Sequence, residues 1–571
     1  MHDMVIRGGT LIDGTGAPAF TGDLAIDGGV ITQVGGKAGP GRREIAADGL
    51  LVTPGWVDAH THYDGQATWD PMLAPSSWHG VTTILFGNCG VGFAPVRQRD
   101  HDQLIGLMEA VEEIPGIALA EGLKWNWESF PEFLDALDAF PRTIDVAAQI
   151  PHHPLRVYVM GERAINLEAA TAEDIATMRR LTADGMRAGA FGFTTSRTNS
   201  HKTLTGGMVP SRYSEIDELL GIGRALGDVG FGAFGMNSDF DIEESELGWM
   251  TQLGQETGRP VWFLLTDRPT DDARWQRLMA GVQAARAKGA MVTAQVAGRP
   301  VGVLLGADTA LNPFSIRPSY QQLLKLPVAE RMARLRDPAM RAAILAEKPD
   351  EALLGRLSQF RQHIVRRWHR MFKLGDPPDY EPPASQSIAA IAEREGRTPD
   401  EVAYDYLAED PAHFIFFPVT GYNVDNHDVI HSMLTSDATV LGLGDGGAHC
   451  SSILDAGVPT WMLTHWARDR HRGARLPLEF VIKRQTSETA DFFGFHDRGR
   501  LAVGKKVDVN IIDFEGLRLH KPEIWYDLPA GGRRLMQRVE GYRATIVSGV
   551  PVFENGSHTG ALPGRLVRAG R

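Results

Sequence analysis

The sequence predicts an α/β protein: a (β/α)8 TIM barrel joined to a small β-domain drawn from both termini, with a helical insertion before the eighth strand. Three observations predict it. Short apolar runs punctuated by Gly and Asp turns occupy both ends of the chain, and between them buried strands and amphipathic helices repeat as eight units. About 140 residues rich in helix-formers then separate the seventh strand from the eighth.

Met4-Val5-Ile6, Leu11-Ile12, Leu24-Ala25-Ile26 and Val30-Ile31 after Asp27-Gly28-Gly29 read as a small antiparallel sheet. Runs at 507–512, 544–547 and 550–553, set off by Gly504, Gly549 and Asn555-Gly556, have the same texture. Because termini usually lie close together, 1–50 and 503–571 are expected to form one domain. Barrel strands are expected at 52–58, 81–86, 144–150, 190–195, 230–236, 261–266, 291–296 and 439–444, within a barrel spanning 51–502. After the third strand, Thr171 and Asp174 resemble a capping box, and Ile175, Met178 and Leu181 follow at helical spacing. The stretch 298–438, with prolines clustered at 376–383, is expected to be a helical insertion placed to act as a lid.

Composition excludes several classes. With 43% apolar and 23% charged residues the 571-residue chain is globular rather than disordered. A net charge of −13 has the wrong sign for a phosphate-binding surface, so no nucleic-acid partner is expected. The longest apolar runs, at 261–265 and 414–419, are far short of the 18 or so residues a membrane span needs, and no membrane association is expected. Met1 to Gly9 lacks the pattern of a secretory signal. Cys89 and Cys450 are too few for a disulfide framework, which suits the cytoplasm. A homo-oligomer is expected.

In a closed parallel barrel the reactive groups lie just past the C-terminal ends of the strands. The first strand ends Asp58-Ala59-His60-Thr61-His62. Two imidazoles at i and i+2 on extended chain point the same way, about 6–7 Å apart, within reach of one cation. Each is otherwise a hydrogen-bonded core or loop histidine. The second strand ends Gly87-Asn88-Cys89-Gly90, where a thiolate would face the same opening; alone, such a cysteine is a small buried hydrophobe. The eighth strand runs through Gly442-Leu443-Gly444 to Asp445, Gly446, Gly447, Ala448 and His449. A carboxylate there can take a proton from water and return it to a leaving amine, or be no more than an Asp-Gly turn. His449 and Cys450 read as packing or supporting residues.

The motif Val52-Thr53-Pro54-Gly55-Trp56-Val57-Asp58-Ala59-His60-Thr61-His62 resembles the opening strand of the amidohydrolase superfamily, and Asp497-Arg498-Gly499 through Gly504 to Val507-Asp508 resembles its closing segment. Gly80-Val81-Thr82-Thr83 with Gly87-Asn88-Cys89-Gly90 resembles the D-aminoacylase, or N-acyl-D-amino-acid deacylase, branch. Trp127-Glu128-Ser129-Phe130 and Leu155-Arg156-Val157-Tyr158-Val159-Met160-Gly161 are similar to the same branch. The resemblance implies a (β/α)8 barrel beside a β-sandwich made from both termini, and zinc-dependent amide hydrolysis. It implies that His60 and His62 bind the more exposed metal, that Cys89 is the metal-binding thiolate, and that Asp445 is ligand and catalytic acid/base.

The chain also departs from that pattern, which calls for a histidine at the end of the fifth strand and another at the end of the sixth. No histidine occurs between His201 and His363; the fifth strand ends Met236-Asn237-Ser238-Asp239 and the sixth Leu265-Thr266-Asp267. Three outcomes are open: one zinc held by His60, His62, Cys89 and Asp445; a rearranged second metal, zinc or another divalent ion, on Asn237, Asp239, Asp267 or His201; or a non-catalytic binding or assembly module.

The expected reaction is hydrolysis of a small-molecule N-acyl amino acid or related amide, with Asp445 taking a proton from zinc-activated water and delivering it to the departing nitrogen. Arg197 is placed to grip a carboxylate or to make a structural ion pair. His152 is a donor behind the ligands or a core residue, and Tyr213 and Tyr320 are candidate pocket hydroxyls. Phe314, Tyr320, Trp368, Phe372 and Tyr380 of the insertion either wall the opening, favouring lipophilic acyl groups, or pack helix on helix. A cyclic-amide hydrolase of the hydantoinase or dihydroorotase kind uses a carboxylated lysine on the fourth strand, and 189–195 contains no lysine.

Overall fold

The computed structural model describes residues 1–268, 271–356, 359–442 and 444–570. All eight expected parallel strands are present: Trp56–Asp58, Val81–Phe86, Asp145–Ala148 continued by Ile150–Pro151, Gly192–Arg197, Ala233–Ser238, Val261–Leu264, Val292–Ala297 and Thr439–Gly442. Their pairing follows chain order. Strands one to three form one parallel sheet, and Ile150–Pro151 through to the eighth strand form another. The Phe191 amide donates to Ala148 O at 2.9 Å across the junction between them. At the other junction the Asp445 amide donates to His60 O at 2.9 Å and the His62 amide to Gly446 O at 2.8 Å, so the ends of strands one and eight are stitched together. The eighth strand stops at Gly442 rather than 444, and Leu443 of its motif lies outside the described residues.

The run expected as one strand at 52–58 divides at Gly55. Leu51–Pro54 joins the terminal sheet, while Trp56–Asp58 starts the parallel set. Close approach is the reason: a Cβ on Gly55 would overlap the Thr82 side chain, and the Gly55 amide is taken by Asp508 O at 2.8 Å. The terminal strands share one nine-stranded sheet in which Leu51–Pro54 lies between His2–Leu11 and Val509–Ile512, so the two ends of the chain meet there. The helix after the third strand, Ala172–Ala188, carries the expected capping box at Thr171 and Asp174.

The insertion is not helical throughout. Besides helices such as Val328–Leu335 and Pro399–Glu409 it contains an antiparallel sheet of Gly302–Gly306, Phe414–Pro418 and Phe372–Lys373. The apolar run at 414–418 is the central strand of that sheet and is buried along its whole length. Phe314, Tyr320 and Tyr404 pack in a separate core inside the insertion. Among the described residues no helix is long and apolar enough to cross a membrane.

Candidate metal centre

His60 and His62 leave the first strand with ring centroids 5.4 Å apart. His60 Nδ1 is anchored to Gln295 Oε1 of the seventh strand at 2.7 Å, which turns Nε2 toward Cys89 Sγ at 3.5 Å and Asp445 Oδ1 at 3.7 Å. His62 is turned the same way, with Nε2 at 3.7 Å from Asp445 Oδ1 and Nδ1 at 3.5 Å from Glu112 Oε1. His60, His62 and Cys89 form a buried group whose ligand atoms lie within 4.8 Å of one another.

The backbone around the thiol and the carboxylate is unusual. Cys89 and Asp445 both have positive φ, 53° and 45°. Gly87, at φ 83°, is needed beside Cys89 because a Cβ there would overlap Gln149 O. Burial keeps both imidazoles neutral, lowering His60 to about 4 and His62 well below its usual value, and a neutral imidazole is the form that binds a metal. Burial, then the Asp455 and Asp58 carboxylates, raises the Asp445 carboxyl well above the ordinary range.

Glu112 escaped the sequence reading. It is the last residue of the helix His101–Glu112, is fully enclosed, and sits between His62 Nδ1 and His449 Nε2, the latter 3.6 Å from Oε2. One signal was present. Glu112-Glu113 places two acids at a helix C-terminus, where the macrodipole disfavours them, so something other than helix stability holds them there. A carboxylate behind a metal-binding imidazole fixes its tautomer and raises its basicity.

Of the candidate replacement ligands, His201, Asp239 and Asp267 do not belong to the buried group, while Asn237 stands beside the Cys89 thiol. Asn237 and His201 line the same cavity, but His201 Nδ1 is paired with Ser196 Oγ at 2.9 Å. Asp239 is held by Arg268 at 2.9 Å, Thr198 Oγ1 at 2.9 Å and the Asn199 amide at 2.7 Å. Asp267 accepts from the Gly421 amide and is not in the cavity wall.

The cavity over the group is about 650 Å³. Arg197 does not line it: Nε donates to Glu246 Oε1 at 2.8 Å, the structural ion pair of the two alternatives. Tyr213 is 52% exposed and Tyr320 accepts from Asn312 Nδ2 inside the insertion, so neither reaches the opening. Phe314, Trp368, Phe372 and Tyr380 are absent from the wall too, where Val301, Ile364, Phe417 and Val419 of the insertion stand instead. His449 lines the cavity, and Cys450 is buried with Sγ 3.6 Å from Gly447 O.

His152 sits behind the fourth strand, bonded to Thr195 Oγ1 at 2.8 Å and Glu218 Oε1 at 2.9 Å. Burial alone would raise the Glu218 carboxyl, yet the His152 hydrogen bond and the Arg156 guanidinium hold it down at about 2. A carboxyl lowered from about 4.3 contributes stability that is complete above that pH and is lost as pH falls toward its folded value. His152, lowered below its usual value by burial, acts in the same direction as pH drops through about 6.5. Arg156→Met is expected to cost about 3–5 kcal/mol at neutral pH, and Glu218→Gln to flatten the decline in stability on acidification. Urea unfolding across a pH series checks both; an unchanged acid limb in Glu218→Gln would remove this group from the account.

The family profile described as "Amidohydrolase family" matches residues 43–553. An uncharacterized protein of Mycobacterium tuberculosis is 28% identical over 620 residues, covering 100% of this chain and 95% of its own. D-aminoacylase of Alcaligenes xylosoxydans xylosoxydans is 25% identical over 570 residues, covering 99% of this chain and 97% of its own. The crystal structure of N-acyl-D-glutamate deacylase from Bordetella bronchiseptica, complexed with zinc and a phosphonate inhibitor, superposes with a TM-score of 0.63 at 23% identity over 100% of both chains. With the profile spanning most of the chain and the fold shared end to end with that deacylase, the protein belongs to the amidohydrolase family, and its similarity to D-aminoacylase extends over nearly its whole length.

Proposed function

We propose that the protein is a zinc-dependent hydrolase that cleaves the amide bond of an N-acyl amino acid. The observation that carries this reading is the convergence of His60 Nε2, Cys89 Sγ and Asp445 Oδ1, with His62 Nε2 beside them, at one end of an open cavity. The names of the relatives, an aminoacylase and a zinc-bound deacylase, support the same chemistry. Chain-order pairing and the bonds between strands one and eight support a closed (β/α)8 barrel within 51–502, with Leu51–Pro54 going instead to the β-sandwich domain of 1–50 and 503–571. Two free cysteines suit a reducing compartment, for which we propose the cytoplasm.

The donor set fits the metal: two neutral imidazoles, a thiol and a carboxylate are the ligands zinc prefers. When bound, zinc lowers the pKa of water toward about 7 and polarises a carbonyl. The chain's own groups do the rest. Gln295 fixes the His60 imidazole from behind, Glu112 faces Nδ1 of His62 at 3.5 Å, and Asp445 takes a proton from the attacking water and delivers it to the departing amide nitrogen.

The rest of the cavity describes the substrate. Leu264, Leu265, Leu278 and Phe417 offer an apolar wall for an acyl chain. Arg370, contributed by the insertion, lines the cavity; among the described residues its hydrogen bonds go to Pro418 O at 3.1 Å and Asn423 Oδ1 at 3.5 Å, both neutral, and it is placed to pair with an α-carboxylate. Arg370→Met is expected to raise KM for N-acyl amino acids about 10- to 100-fold, the worth of a hydrogen bond to a charged group, and to change KM for neutral amides little. Equal effects on both would withdraw that role. The reading as a whole is tested by zinc content of chelator-free protein and hydrolysis of a panel of N-acyl amino acids of both configurations. Protein that takes up no zinc when it is offered, and hydrolyses none of the panel, overturns it.

A further inference from the structure

We propose that Glu381, His427 and His465 form a second, structural metal site for a divalent cation of the zinc class, which clips the insertion to the helix after the eighth strand. The three are buried and their ligand atoms lie within 4.8 Å of one another, yet none lines the cavity of the first centre. Glu381 and His427 belong to the insertion and its return to the eighth strand. His465 belongs to the π-helix Met462–Asp469, where its ring stacks on Trp461 at 4.2 Å. π-helical turns are rare and are frequently found at functional sites.

The donor atoms are set for an ion. His427 Nε2 donates to Tyr380 O at 2.9 Å, which leaves Nδ1 as a bare lone pair pointing inward. His427 Nδ1 is 3.3 Å from His465 Nε2 and 3.9 Å from Glu381 Oε2, and His465 Nε2 is 3.1 Å from Glu381 Oε2. A triangle of those sides has a centre about 2 Å from every corner, the length of zinc–nitrogen and zinc–carboxylate bonds. Without an ion, one proton on His465 Nε2 has to serve both other atoms. Burial keeps His427 and His465 neutral.

Arg470 is the feature that has to be reconciled with a cation. It donates to Glu381 Oε1 at 3.0 Å and Oε2 at 3.2 Å, and also to Asp428 Oδ1 at 2.7 Å, so the two carboxylates outnumber the one guanidinium. The His427 amide donates to Glu381 Oε1 at 2.7 Å. These bonds fix the carboxylate as outer partners fix metal-bound carboxylates elsewhere, and leave the inward lone pair of Oε2 facing the imidazoles. Enclosure, with no cavity residue shared, points to a structural rather than a catalytic ion.

This site changes how a metal count is read. Two ions per chain need not mean a binuclear active centre. The test removes the first centre with His60→Ala and Cys89→Ser together, offers zinc, dialyses, and measures metal by plasma mass spectrometry. About one zinc per chain is expected, lost when His465→Gln is added. A double variant that holds no zinc overturns the proposal, as does a triple variant that holds as much as the double. Should the variants misfold, cobalt substitution of the otherwise intact protein decides: two cobalt ions are expected, only one with a thiolate charge-transfer band, and His465→Gln is expected to remove the other alone. Cobalt found only in thiolate-bound form, or none at all, overturns the second site. Loss of the thiolate-bound ion alone would count against the first centre and not this one.

Discussion

Asp445→Asn is expected to lower kcat by about 10²- to 10⁴-fold, the contribution of a general acid–base group, while the chain folds and keeps most of its zinc. Asparagine conserves the size of the side chain and tolerates the positive φ of 45° that Asp445 adopts. The amide bond from residue 445 to His60 O, which stitches strands one and eight, belongs to the backbone and survives the substitution. An oxygen also remains in place of Oδ1, 3.7 Å from both Nε2 atoms. What is lost is the capacity to accept and return a proton. Steady-state kinetics, with zinc per chain measured on the same sample, separates the two effects. A kcat within about tenfold of the parent would remove the acid/base role and leave Asp445 as a ligand at most.

The parts of this protein legible in its sequence were those fixed by local pattern. Buried strands declared themselves as apolar runs, and His60, His62, Cys89 and Asp445 could be singled out together because strand ends converge in a parallel α/β fold whatever lies between them in sequence. Partner choice was not legible. Arg197 has the right chemistry for a carboxylate and stands past the right strand, but Glu246, 49 residues away, takes it. Gln295 and Glu112 carry no motif, and their value comes from which histidine nitrogen they face. The insertion was read as helical because helix-formers dominate it, whereas its sheet depends on pairing 302–306 with 414–418 across about a hundred residues, a contact that no short window reveals. The split at Gly55 likewise reflects the crowding of Thr82 from the neighbouring strand.

The missing histidines bear most directly on Cys89. Where strands five and six each contribute a ligand, loss of one donor leaves others to hold an ion; here the three ionisable alternatives are committed elsewhere. Asp239 is bound by Arg268, Asp267 by the Gly421 amide, and His201 by Ser196. Cys89→Ser is therefore expected to weaken zinc binding at this centre by more than about 100-fold, since partners behind the ligands are alone worth about 10- to 100-fold. Glu112→Gln, which removes a carboxyl behind His62 and no ligand, is expected at the lower end of that range. The hydroxyl of serine is a far poorer anion than a thiolate at neutral pH and lies at the end of a shorter bond, so the defect is one of chemistry as well as reach. Affinity is read by competition with a chromophoric chelator, and the cobalt thiolate band assigns the signal to this centre. If Cys89→Ser holds its ion within about twofold of the parent, the ligands lie elsewhere in the cavity, and Asn237, beside the thiol on the fifth strand, becomes the first residue to replace.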